Sequence, residues 1–116
     1  MFNINSVLEN IPVFIKIFNF KLEMEYQMKV ITSVELSKGY EHWKELFLSN
    51  EDFRQKNQIN VVAYGHEADN ENKVWAVMDI PSMEHMMSLI NEPEMIKLRE
   101  EAGAILETQK MIKLVT

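Results

Sequence analysis

Apolar and polar positions alternate from Lys29 to Leu36, with Val30, Thr32, Val34 and Leu36 on one face and Lys29, Ile31, Ser33 and Glu35 on the other. Alternation with β-branched residues predicts a strand. Beyond Ser37, a candidate N-cap, the residues Tyr40, Trp43, Phe47 and Asn50 recur at helical spacing, while Glu41, Lys44 and Glu45 are left for water. This helix is expected to run to about Asn50, followed by a second turn or short helix over 51–56. Ile59 to Gly65 and Lys73 to Ile80 read as two further strands. The intervening HEADNEN is polar and made of turn formers, so the pair is expected to be an antiparallel hairpin with a long loop. Pro81 closes the third strand, and Ser82 caps a helix carrying Met83, Met86, Met87 and Ile90. That helix is interrupted at Asn91-Glu92-Pro93 and restarts with Pro93 in its first turn. It continues through Met95, Ile96 and Leu98 and meets Gly103 where a C-terminal glycine belongs. Ile105 to Val115 is the last strand.

The order βαββαβ predicts an α+β fold of the ferredoxin-like kind, a four-stranded antiparallel sheet with both helices on one face. The other face is then the question. By parity it carries Val62, Tyr64 and His66 on strand two and Trp75, Val77 and Asp79 on strand three, a set too apolar and aromatic to be left in water. A second copy should cover it, and a two-fold homodimer closing an eight-stranded barrel is the commonest way to do so.

Residues 1–27 read differently. Phe, Asn, Ile and Lys supply 14 of them, with no sustained helical or alternating pattern. A signal peptide would carry a basic head before its apolar run, but the first positive charge, Lys16, lies inside the run Ile11–Phe20. That run is also shorter than the roughly 20 residues a membrane-spanning helix needs. Two readings stay open: an atypical extension arising from a misassigned start, with Met28 the natural first residue, or a real segment whose Val13, Phe14, Ile15, Ile17, Phe18 and Phe20 cover a sheet edge or a neighbouring subunit. The remainder, 28–116, is expected to be a single domain.

Composition narrows the function classes. The chain has 116 residues, 47% apolar and 26% charged, which suits one soluble globular domain. Its 12 Lys and Arg against 18 Asp and Glu leave a net charge of -6, and the basic residues are interleaved with acidic ones rather than gathered into a patch, so nucleic acid is not an expected partner. There is no cysteine, which removes disulfides, thiol nucleophiles and thiolate metal sites, and favours a reducing, cytoplasmic location. Gly-rich phosphate loops, nucleophile elbows and metal signatures are absent from the sequence, and no cofactor or membrane association is implied.

The helix YEHWKELF after strand one, the hairpin ending in KVWAVMDI, and PSMEHMMSLINEPEMIKLREEAG running into the last strand together carry a resemblance. From Met28 to the C-terminus the chain resembles the dimeric α+β barrel superfamily, above all its small single-domain members. The third stretch is the most specific, a helix broken at an Asn-x-Pro-Glu step and stopped by Ala-Gly. The resemblance implies a scaffold and not one chemistry. Its members include cofactor-free monooxygenases acting on quinol-like aromatics, lactone isomerases, polyketide cyclases, haem-degrading enzymes and proteins with no established activity. In the haem-degrading branch a histidine in the second half of helix two ligates iron. Here that stretch reads MIKLREEAG and has no His, His85 lying about three turns earlier.

The residues able to carry chemistry are Ser33, His42, Trp43, Tyr64, His66, Trp75, Asp79 and His85, and no two of them form a recognised catalytic spacing. His42 and His85 are the candidate catalytic residues: His42 as a general base at the mouth of a pocket, against a surface histidine beside core Trp43, and His85 facing a cleft, against an exposed helix position. Trp43, Tyr64, His66 and Trp75 are the candidate ligand-binding residues. Tyr64 and Trp75, read as neighbours across the hairpin, could line a cavity for a flat apolar ligand or form the aromatic centre of the dimer interface. His66, Glu67 and Asp69 lack a second histidine at ligand spacing, so a solvated turn is preferred to a metal site. Two function classes follow: a small-molecule binder or cofactor-free enzyme acting on an apolar or aromatic compound, and a non-catalytic dimeric interaction or regulatory module.

Overall fold

A computed structural model describes residues 28–115. In chain order the elements are β1 (Met28–Leu36), α1 (Tyr40–Ser49), α2 (Glu51–Lys56), β2 (Asn60–Glu67), β3 (Asn70–Ile80), α3 (Met83–Ile90), α4 (Pro93–Glu101) and β4 (Ala104–Leu114). All strand pairs are antiparallel and the sheet order is β2-β3-β1-β4, the ferredoxin-like arrangement that the βαββαβ order predicts. The readings of residues 1–27 fall outside the described residues.

Alternation on the central strands decides which face the helices cover. Val30, Leu36, Val74, Ala76, Met78 and Ile80 are buried, as is Thr32, and β1 pairs with β3 so that Val30 opposes Met78, Thr32 opposes Ala76 and Val34 opposes Val74. Two core clusters result. One gathers Val30, Ile59, Ala76, Met78, Ile80, Met86 and Leu89; the other gathers Leu36, Trp43, Val74 and Ala102. On α3 the inward residues are Met86 and Leu89, whereas Met87, expected on the inner stripe, is exposed. A helix of 3.6 residues per turn cannot turn both 86 and 87 squarely inward, and Leu89 at i+3 continues the stripe that Met86 begins.

Three local expectations are corrected. The hairpin loop is short: β2 extends to Glu67 and β3 begins at Asn70, leaving Ala68 and Asp69 as the turn. The polar residues expected to form a loop pair their backbones at the sheet edge, and Asn70 Oδ1 accepts from the Asn72 N–H at 3.0 Å where the register slips. Ser37 does not cap α1; Gly39 with φ 86 occupies that position, and the Ser37 hydroxyl donates to the Gly103 carbonyl at 3.2 Å. The third correction bears on function. Val61 opposes Met78 but Ala63 opposes Val77, so two steps along β2 match one along β3 and Val62 is a β-bulge. An extra residue reverses the strand's alternation, so Tyr64 opposes Ala76 and His66 opposes Val74 on the helix-covered face, not on the face of Trp75.

The Asn91-Glu92-Pro93 step separates α3 from α4 as expected, with Ser82 Oγ accepting from the His85 N–H at 3.0 Å at the start of α3. At the end of α4, Gly103 has φ 89 and donates to the Glu100 carbonyl at 2.9 Å, while its own carbonyl accepts from the Ser37 N–H at 2.8 Å. The helix stop is thereby tied to the exit of β1. A Cβ at Gly103 would lie 2.9 Å from the Lys38 Cβ, so an L residue there meets both a left-handed conformation and a collision. Gly103→Ala is expected to lower stability by about 2 kcal/mol, read as a lower urea midpoint at unchanged slope. An unchanged midpoint would show that the junction relaxes freely.

Arg54 on α2 is buried, 7% exposed, and its charge is paired. Its Nη2 donates to the Phe47 carbonyl at 2.6 Å and to Glu51 Oε2 at 2.8 Å, its Nε donates to Glu51 Oε2 at 3.1 Å, and its guanidinium lies 4.0 Å over the Phe47 ring. Hydrogen bonds from Gln55 and Arg54 hold the Glu51 carboxyl below the ordinary value of 4.5. A depressed folded-state pKa contributes stability above the unfolded value that is lost as pH falls through the folded one. Arg54→Ala is expected to cost about 2 kcal/mol at pH 7, through the uncapped Phe47 carbonyl and lost packing. The part carried by Glu51 should fade at acid pH, so the gap in urea midpoint between the two proteins should narrow below about pH 4.5.

Candidate functional site

The two core clusters share no buried residue and are bridged on one side by half-buried Tyr64. Between them lies a cavity of about 150 Å³, partly open to solvent, floored by Thr32, Val34, Val74, Ala76, Met78, Ala104 and Gln109 of the sheet. Trp43, Leu46 and Phe47 of α1 and Phe53 and Arg54 of α2 wall one side; Met86, Leu89 and Ile90 of α3 and Met95, Leu98 and Arg99 of α4 wall the other, with Ala102 at the end of α4. The space exists because the positions where the clusters would close carry Thr32, Ala76, Ala102 and Ala104 instead of larger apolar residues. Its aromatic wall is well supported. Trp43 stacks on Phe47 with ring centroids 4.5 Å apart, and Tyr64, brought to this face by the Val62 bulge, backs both at 6.0 and 5.2 Å.

Of the four candidate ligand-binding residues, only Trp43 lines the cavity. Tyr64 buttresses it from behind. His66 is exposed, edge-on to Tyr40 at 4.6 Å, and its Nδ1 donates to the Glu67 carbonyl at 2.7 Å. Trp75 belongs to the open face, its Nε1 donating to Glu67 Oε2 at 2.7 Å with Lys73 Nζ 5.8 Å from the ring centroid. Tyr64 and Trp75 are therefore on opposite faces and form no pair, which corrects the reading of a shared aromatic site.

The two candidate catalytic histidines also stand away from the cavity lining. His42 Nε2 donates to the Glu101 carbonyl at 2.8 Å, and Lys38 Nζ reaches the same carbonyl at 3.3 Å, so together they satisfy an orphan acceptor at the C-terminus of α4. His85 Nε2 donates to the Asn57 carbonyl at 2.6 Å and binds the start of α3 to the turn before β2. Ser33 and Asp79 lie on the open face, where Ser33 opposes Trp75 and Asp79 pairs with Lys29 and Asn60. Among the described residues no group of three possible ligands could hold a metal ion, and no helix is long and apolar enough to cross a membrane.

Arg99 was not among the candidates, although a signal for it is present in the sequence. Met95, Leu98, Arg99 and Ala102 fall at i, i+3, i+4 and i+7, so the arginine occupies an inward position of the α4 stripe, and all four line the cavity. Burial holds its guanidinium below the usual arginine value. Arg54 at the opposite wall is matched by Glu51, but among the described residues the Arg99 side chain has no hydrogen bond or ion pair, and no Asp or Glu lines the cavity. Thr32 and Gln109 add neutral polar groups. Gln109 is aimed inward by an irregularity in β4, where Ser33 opposes Lys110 but Glu35 opposes Ile105 and the Thr108 hydroxyl accepts the Glu35 N–H at 2.9 Å in place of a strand partner.

No family model matches the sequence, and no curated protein matches it. Solved structures do. A protein provisionally named an antibiotic biosynthesis monooxygenase from Bordetella bronchiseptica superposes with a TM-score of 0.62 at 11% identity, covering 77% of this chain and 95% of that one. SnoaB, a cofactor-independent oxygenase from Streptomyces nogalater, gives 0.55 at 10% identity over 77% and 91% of the two chains. A NIPSNAP-like domain protein from Burkholderia xenovorans gives 0.55 at 14% identity over 78% and 86%. At such identities the shared property is the fold, and the chain has the ferredoxin-like α+β fold of these proteins, as its resemblance to the dimeric α+β barrel superfamily implied.

Proposed function

We propose that this protein binds a small, mostly apolar molecule in the cavity between sheet and helices. The observation that carries the reading is the unfilled space of about 150 Å³ walled by Trp43, Phe47, Phe53, Met78 and Met86. An apolar cavity of about this volume is known to accept a single aromatic ring. Methionines from three elements, Met78 of β3, Met86 of α3 and Met95 of α4, let the lining adapt to a guest. Binding is placed ahead of acid–base catalysis because, among the described residues, neither a histidine nor a carboxylate lines the space. The second reading is conversion of an apolar or aromatic compound in the same cavity without a cofactor, as a monooxygenase, isomerase or cyclase would perform it; the oxygenase SnoaB, built on this fold, supports it. The cysteine-free composition supports a cytoplasmic location.

A homodimer belongs to the same proposal, and the open face of the sheet supports it. Ala63, Val77, Ile31 and Ile112 align as one row across all four strands, and Gly65, Trp75, Ser33 and Lys110 form the next. Ile112 is 55% exposed and Leu114 41%. An apolar band crossing a whole sheet is a surface that a second copy would cover, and this reading also accommodates a non-catalytic interaction module.

Trp43 reports on the cavity once the other tryptophan is removed. In Trp75→Phe, titration with neutral single-ring compounds such as benzyl alcohol should change Trp43 emission saturably, and Ala102→Leu, which fills the space, should abolish the change while raising thermal stability. Flat emission across such compounds in a folded protein would defeat the binding reading. For the open face, sedimentation should find a dimer, and Ile112→Glu should give a folded monomer because the side chain is exposed within the protomer. A wild-type monomer at micromolar concentration would remove the dimer.

A further inference from the structure

We infer that the guest of this cavity is a monoanion, a carboxylic acid with a single aromatic ring or short branched chain, held by Arg99. The inference deepens the proposed binding site and rests on it. Three observations lead there. First, among the described residues the cavity is lined by two arginines and by no Asp or Glu, although acidic side chains outnumber basic ones by 18 to 12 in the whole chain. Second, its two arginines are not equivalent. Arg54 is satisfied by Glu51 and the Phe47 carbonyl, whereas the Arg99 side chain has no partner among the described residues. Third, the arginine is on the inward stripe of α4 beside Met95 and Leu98, so its position is set by the helix and not by a flexible loop.

A half-buried guanidinium without a counter-charge is an unfavourable element of a fold, because its desolvation is not offset by an ion pair. The same element becomes favourable once an anion arrives. Guanidinium presents a planar fork matched to a carboxylate, and a partly desolvated setting strengthens the pair relative to water. The remaining walls fix the rest of the ligand. Trp43 and Phe47 offer an aromatic surface, and the volume of about 150 Å³ limits the apolar part to a single ring or a few branched carbons. Thr32 and Gln109 can complete hydrogen bonds to a carboxylate or to a ring substituent. A dianion or a phosphate ester is disfavoured because Arg99 is the one unpaired cation among the described lining residues, whose other polar members are neutral or, like Arg54, already paired.

The test compares benzoate with benzyl alcohol, a neutral ring of similar size, using methyl-labelled methionine NMR on the full chain. Met78, Met86 and Met95 line the cavity, and exposed Met87 serves as an outside reference. The expected result is that both compounds shift the three cavity methyls, benzoate with a Kd at least tenfold lower. Arg99→Met should remove that preference while retaining benzyl alcohol binding, Arg99→Lys should restore part of it, and Lys97→Met on the exposed side of α4 should leave it intact. Equal affinities in the wild-type protein would overturn the anion inference and leave the cavity reading standing. Benzoate preference that survives Arg99→Met would overturn it as well. Shifts from neither compound at millimolar concentration would overturn both, and the wild-type comparison decides this even if every Arg99 variant unfolds.

Discussion

Ala76 on β3 and Ala102 at the end of α4 stand where two core clusters approach each other without closing. Filling that gap would be favourable. At about 24 cal/mol for each Å³ of residual cavity, a fully enclosed space of about 150 Å³ would forgo roughly 3–4 kcal/mol of stability, an upper bound for one partly open to solvent. That is a sizeable part of the 5–15 kcal/mol by which a domain is typically stable. Four small side chains from four different elements leave the same space open, and one substitution to leucine at Ala102 would occupy much of it. The rest of the site depends on this restraint: the stacked Trp43 and Phe47, the three methionines and the inward arginine have a function in binding only if the core is left incomplete.

The two arginines show how one side chain can serve opposite ends. Arg54 is the more buried, yet it satisfies a helix-end carbonyl, stacks on Phe47 and is neutralised by Glu51, so its charge is fully absorbed into the joint between α1 and α2. Arg99 has the same chemistry without those partners, and only its aliphatic stem gains from packing in the α4 stripe. Arginine stays charged in proteins, so Arg99 cannot escape its environment by losing a proton as a lysine or histidine would. The field of that charge acts inside a chamber with apolar walls, where screening by salt is weaker than at the surface.

The fold was legible because long periodic segments left little choice. The alternation of Lys29–Leu36 and Lys73–Ile80, the helical spacing of Tyr40, Trp43 and Phe47, and the Pro93 and Gly103 punctuation are local signals whose structural meaning does not depend on distant residues. The candidate site was legible only at Trp43. Histidines drew attention because imidazole titrates near neutrality, but His42 and His85 bond backbone carbonyls at helix ends, and such pairings between residues far apart in the chain leave no trace in spacing. Arg99 lay in plain view at i+4 from Met95. A helical stripe is marked by its apolar members, and a charged residue in the same row carries no such mark.

Val62 shows why the remaining part could not be read by parity. Under strict alternation Val62, Tyr64 and His66 would share the open face with Trp75, and the strand would present Ala63 to the helices. One extra residue in β2 sends Val61 and Tyr64 to the helix face together, and Val62 is left half exposed at the sheet edge. A bulge is decided by the register a partner strand imposes, and no short-range signal in NVVAYGHE marks it. Its consequence nonetheless reaches the candidate site. The tyrosine that parity would have put on the open face instead braces the ring of Trp43, and among the described residues the open face keeps a single large aromatic, Trp75, anchored to Glu67. The bulge thus divides the aromatic residues between the two sides of the sheet, a supported wall for the cavity on one and a flat apolar band on the other.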